Sequence, residues 1–121
     1  MRNMLVAAAC LAVIVGTAHA GDVKNGQQAF TTCRMCHTAI KGGPNGVGPN
    51  LWGVAGRKAA SLPGFYYSAA LKGSHITWTN DKLKVWIMGP QKLVPGNRMA
   101  FAGVRNAKTA DDIVAYLASL K

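Results

Sequence analysis

The segment Cys33-Arg34-Met35-Cys36-His37 constrains this chain more than any other feature. The spacing C-x-x-C-H sets two thiols and an imidazole at i, i+3 and i+4, so one turn of helix would carry all three on a single face. That pattern is the sequence form of covalent haem c attachment: Cys33 and Cys36 supply the thioethers and His37 reaches the iron. Paired cysteines also serve as disulfides, redox C-x-x-C motifs and halves of zinc sites. A thioredoxin-like motif requires a βαβ context, and no strand pattern surrounds this one. Beyond Cys33, Cys36 and His37, only His75 and a few aspartates remain after the leader to complete a zinc site. The context favours one haem c.

The N-terminus sets the expected compartment. Met1-Arg2-Asn3 forms a short positive region, an apolar run follows from Met4 to Gly16, and Ala18-His19-Ala20 fits a small-x-small cleavage site. Residues 1–20 read as a cleaved signal peptide and residues 21–121 as one domain exported to a bacterial periplasm. The apolar run is shorter than the about 20 residues that span a bilayer, so no stable membrane insertion is expected. Cys10 lies in this run without a leucine three residues before it, which disfavours a lipid anchor. Loss of the leader leaves Cys33 and Cys36 as the only cysteines, and haem would take both.

A domain of this length sits near the size at which an apolar core alone becomes marginal, and a haem would supply the missing core. The formal charge is +10, with 14 Lys and Arg, four Asp and no Glu. Such an excess implies an acidic partner. The basic residues are scattered, without an aromatic-basic stripe, which argues against nucleic acid. The expected partners are acidic docking surfaces of other proteins, met by a monomer.

Local patterns give an all-α chain with long Gly- and Pro-rich loops. A first helix is expected from Asp22 to about Thr32, with Gly26, Phe30 and Cys33 on one face. Thr38 to Gly56 reads as loop around Gly48-Pro49-Asn50. A short helix is expected from Tyr67 to Lys72. Another follows the N-cap Thr79, carries Leu83, Trp86 and Ile87, and stops before Pro90. The last opens with Thr109-Ala110-Asp111-Asp112 and buries Ile113, Tyr116, Leu117 and Leu120.

The sixth iron ligand separates an electron carrier from a catalyst, because an open position admits oxygen or peroxide and a filled one leaves electron transfer alone. Met35 lies between the attachment cysteines, Met88 ends a helix and reads as core, and His75 reads as a loop residue. Met99 lies in Val94-Pro95-Gly96-Asn97-Arg98-Met99, where Pro and Gly shape a loop able to present a thioether, and is the chosen ligand.

Together with Cys33-Cys36-His37, the segments Gly21-Asp22-Val23, Gly48-Pro49-Asn50-Leu51, Gly56-Arg57-Lys58, Pro63-Gly64-Phe65, Ile76-Thr77-Trp78, Pro95-Gly96 with Met99, Phe101-Ala102-Gly103 and Ala115-Tyr116-Leu117 resemble the small soluble class I cytochromes c of mitochondria and bacteria. The likeness spans nearly all of residues 21–121. It implies the cytochrome c fold and further roles. Pro49 would receive a hydrogen bond from His37, a contact that orients the imidazole. Arg57, Tyr67 and Trp78 would hold a haem propionate, Phe101 would line the exposed haem edge, and Gly26, Phe30 and Tyr116 would join the first and last helices.

Three residues depart from the mitochondrial pattern. Trp86 and Leu71 stand where the family often has Tyr and Asn, which removes polar groups from the pocket. Arg98 stands where a lysine often precedes the Met; its guanidinium stays protonated and cannot replace Met99 at high pH. The expected function is a periplasmic one-electron carrier, with no catalytic residue, moving between a bc1-type reductase and a terminal oxidase, other reductase or photosynthetic centre. Lys41, Lys92 and Arg98 are the expected steering cations. The alternatives are a peroxidase-like haem enzyme and a dedicated electron acceptor of one periplasmic dehydrogenase.

Overall fold

The computed structural model describes residues 21–121; the expected leader, residues 1–20, lies outside them. Five helices follow in order: α1 (Val23–Ala29), α2 (Ala69–Lys72), α3 (Asn80–Met88), α4 (Pro90–Leu93) and α5 (Ala107–Ser119). A 3-10 helix, Phe30–Met35, continues directly from α1. No strand occurs among the described residues, only an isolated antiparallel bridge between Lys58 and Thr77.

The N- and C-terminal helices form the frame. Asp22 caps α1 by accepting from the Asn25 N–H at 2.8 Å. Gly26 lies buried where α1 meets α5; a Cβ there would overlap the Asp112 carbonyl. Glycine costs a helix about 1 kcal/mol relative to alanine, and here the close approach offsets that cost. One turn on, Phe30 is fully buried with its ring 5.2 Å from that of Tyr116. The Asp112 carboxylate, itself buried, closes the seam by accepting from the Asp22 N–H at 2.8 Å and from Lys108 Nζ at 3.1 Å. Helix α3 packs on α5 through Leu83 and Ile87, and Lys84 pairs with Asp111 at 2.8 Å beside them.

Three element boundaries and one added helix differ from the sequence expectation, each for a local reason. The α-helical part of the first helix ends at Ala29, and the chain tightens into the 3-10 turn that carries Cys33. Ser68 caps α2 by accepting from the Leu71 N–H at 3.0 Å, so that helix starts at Ala69 and Tyr67 precedes it. Pro90 ends α3 as expected but also opens α4, since proline is acceptable in the first turn of a helix. Helix α5 starts at Ala107, because Asn106 takes the cap and accepts from the Thr109 N–H at 3.0 Å. Thr79 caps α3 as read from the sequence.

Candidate functional site

Between this frame and the loops lies an open cleft of about 990 Å³, a volume that includes the solvent space at its mouth. Its walls are largely apolar: Phe30, Leu51, Val54, Leu71, Leu83 and Ile87 are among them. The structure brings Cys33, His37, Pro49, Arg57, Tyr67, Trp78, Met99 and Phe101, eight of the nine predicted site residues, to its lining. The ninth, Cys36, is exposed at the end of the 3-10 turn and is not among the lining residues. The backbone explains the split: the His37 N–H reaches back four residues to the Cys33 carbonyl, while Cys36, with φ −123°, has left the helical region.

The segment after His37 is fixed from several directions. The His37 Nδ1–H donates to the Pro49 carbonyl at 2.8 Å, which leaves Nε2 as the nitrogen free to bind. Burial lowers the pKa of the imidazole, opposed by that hydrogen bond, so the neutral ring suited to a metal is favoured. Gly48 packs flat against the ring; a Cβ there would lie 2.6 Å from Nδ1, closer than real atoms approach. Asn50, buried, ties the loop to itself. Its Nδ2 donates to the carbonyls of Ile40 at 2.7 Å and Gly43 at 3.1 Å, and its Oδ1 accepts from the Trp52 N–H at 3.1 Å. Its backbone carbonyl also accepts from Arg57 Nη2 at 3.3 Å.

The polar side of the cleft contains Arg57, Tyr67 and Trp78, the last two buried. Burial lowers the pKa of the Arg57 guanidinium, partly offset by Tyr67. Arg57 is half-buried and donates to the Trp52 and Asn50 carbonyls, each at 3.3 Å, so the cleft wall carries a fixed cation that can offset the charge of an anion. Burial also pushes the Cys33 thiol up, so the free side chain is a neutral thiol. Trp86 and Leu71 line the same cleft, and Trp86 meets Trp78 edge-on at 5.2 Å.

Met99 lies on the segment after α4. Val94 to Asn97 make a β-turn with Pro95 second and Gly96 third; the Asn97 N–H donates to the Val94 carbonyl at 3.2 Å and Gly96 has φ +85°, as a type II turn requires. The sequence reading named Met99 but missed the residues that hold it, Gln91 and Asn97. It also missed the contact of Gly48 with His37. An Asn directly after Pro-Gly was the available signal for the first, since Asn side chains bond backbone groups two residues on.

At the mouth, the lining cations are Arg57, Lys58 and Arg98, while Lys41 and Lys92 are exposed elsewhere on the surface. Tyr66 is 78% exposed and stands between two charges, with Lys72 Nζ 5.0 Å and the Arg98 guanidinium 5.1 Å from its ring centre. Sequence reading had singled out neither Lys58, Lys72 nor Tyr66.

An apolar cleft lined by a thiol, an imidazole, a thioether and a half-buried arginine fits haem c and defines the class, a covalent haem protein. The comparisons agree. A family model described as Cytochrome c matches residues 23–121. The chain is 48% identical over 102 residues to cytochrome c2 of Rhodoblastus acidophilus, covering 84% of this chain and 95% of that one. It is 39% identical over 117 residues to cytochrome c2 of Blastochloris viridis, covering 97% and 92%. Among solved structures, cytochrome cH from Methylobacterium extorquens matches with a TM-score of 0.77 at 45% identity, over 82% of this chain and 99% of that one. This chain belongs to the cytochrome c family. It is an all-α, haem c-binding electron carrier that meets redox partners, and not an enzyme.

Proposed function

We propose that this chain is a periplasmic shuttle with His37 and Met99 as axial ligands, carrying single electrons as a monomer between a bc1-type reductase and a terminal oxidase, another reductase or a photosynthetic centre. The observation that carries this reading is the presence of Cys33, His37 and Met99 on the walls of one apolar cleft. When bound, haem c supplies a ferrous/ferric couple, whose potential a thioether ligand and an apolar pocket both raise. The chain's own residues do the rest. Cys33 and Cys36 anchor the group covalently. Pro49 and Gly48 fix the ring plane and tautomer of His37. Arg57, Tyr67 and Trp78 would hold a propionate, with Arg57 offsetting its charge. Phe101 covers the edge through which the electron leaves.

If His37 and Met99 both bind the iron, a one-electron change would require little movement and small ligands would find no open coordination site. The leader read over residues 1–20 supports export, and no helix among the described residues is long and apolar enough to cross a membrane. The cations at the mouth, Lys58 and Arg98 with Lys72 nearby, are placed to steer an acidic surface into a transient complex. The reduced holoprotein should leave carbon monoxide unbound at neutral pH, whereas Met99→Ala should bind it. Reaction with an acidic redox partner should slow steeply as salt rises. Carbon monoxide binding by the unaltered protein would instead support the peroxidase-like reading, and a salt-independent rate would remove electrostatic docking.

A further inference from the structure

The segment carrying Met99 has almost no core of its own. Between Val94 and Ala100 only Val94 and Asn97 are buried, while Pro95, Gly96, Arg98 and Ala100 are exposed. Two side-chain amides hold it. Asn97, 7% exposed, donates from Nδ2 to the Val94 carbonyl at 2.9 Å and accepts the Met99 N–H on Oδ1 at 2.8 Å. Gln91, from α4, donates from Nε2 to the Asn97 carbonyl at 2.9 Å and accepts the Gly96 N–H on Oε1 at 3.1 Å. Both amides are used at donor and acceptor ends, and together they span the turn and the residue after it.

We propose that Gln91 and Asn97 are positioning residues, a clamp whose strength sets how often the segment lets the Met99 thioether leave the cleft. The proposal rests on the reading of Met99 as an axial ligand. A loop with little apolar burial is held mainly by its hydrogen bonds, so its local opening follows them more than the stability of the whole fold. Removing Asn97 leaves the Met99 N–H without its acceptor, beside the atom whose position matters. Removing Gln91 frees the Gly96 N–H and the Asn97 carbonyl at once. Neither residue lines the cleft, so any effect on ligation must pass through the backbone of the segment.

The test uses the oxidised holoprotein and two readouts: affinity for added imidazole, which takes the iron only when Met99 has left, and amide hydrogen exchange. Loss of two hydrogen bonds in Gln91→Ala should raise imidazole affinity about tenfold and speed exchange at Gly96 and Met99 to match. Exchange at Ile113 in α5 should not change. Asn97→Ala should go further, and Asn97→Asp, which keeps the acceptor for the Met99 N–H, should recover part of the loss. Values within twofold of the unaltered protein in both alanine variants would overturn the clamp, as would a parallel rise in exchange at Ile113. If the unaltered protein and Met99→Ala take imidazole equally, Met99 is not the ligand and the underlying reading fails. Exchange in Gln91→Ala then decides the clamp alone, faster exchange at Gly96 supporting it and unchanged exchange overturning it.

Discussion

The segments carrying His37 and Met99 solve one problem, presenting a side chain to the same cleft, by opposite means. His37 follows a 3-10 turn that grows out of α1 and buries Phe30 in the core, and its loop is knotted by a buried Asn50. Met99 follows a turn with an exposed Pro95-Gly96 tip, held by two side-chain amides. Opening the first segment would cost core burial; opening the second costs a few hydrogen bonds. The His37 segment is therefore as durable as the fold, while the Met99 segment has its own, lower stability.

The largest expected effect breaks the durable side. Gly48→Ala would drive a Cβ into the His37 ring, so the yield of haem-loaded protein, read from its absorbance, should collapse; a normal yield with normal ligation would remove the close contact as a constraint. Next comes Asn50→Ala, which strands the Ile40 and Gly43 carbonyls and the Trp52 N–H. With unsatisfied buried groups costing about 1–3 kcal/mol each, and this site only part-buried, about 2 kcal/mol of global stability should be lost in a denaturant titration. Gln91→Ala in the same titration should shift the midpoint far less, and equal losses would erase the contrast between the two segments.

The smallest effect concerns the seam behind His37. Hydrogen bonds from the Asp22 N–H and Lys108, together with the Lys108 charge, hold the Asp112 carboxyl below the usual aspartate range. A carboxyl that binds its proton more weakly when folded stabilises the fold above its ordinary pKa of about 4, and that contribution is lost as pH falls through the folded value. Asp112→Asn should thus lower stability at neutral pH and flatten the decline below about pH 4. Parallel acid-unfolding curves for the two proteins would contradict it.

How far these segments were legible in the sequence follows the same division. Local chemistry read correctly: Thr79 as a cap, and the apolar face of α5 with Ile113, Tyr116 and Leu117 buried; Pro95 and Gly96 read as an extended loop and form a tight turn. What depended on tertiary approach was not legible. Asn106 and Thr109 are both competent caps three residues apart, and spacing alone could not choose between them. Gly48 reads as one loop glycine among several until the His37 ring lies on it. Gln91 gives no sequence signal at all, because its bonds require α4 and the turn to be in place first. For the cleft, resemblance to a family named Arg57, Tyr67, Trp78 and Phe101 where periodicity could not.

The central claim is that His37 and Met99 close both axial positions and leave only electron transfer. The most direct measurement is the optical spectrum of the oxidised holoprotein, followed into the near-infrared where a ferric iron bound by a thioether has a weak charge-transfer band. The account predicts that this band is present and vanishes in Met99→Ala; a high-spin spectrum without it in the unaltered protein would contradict the claim.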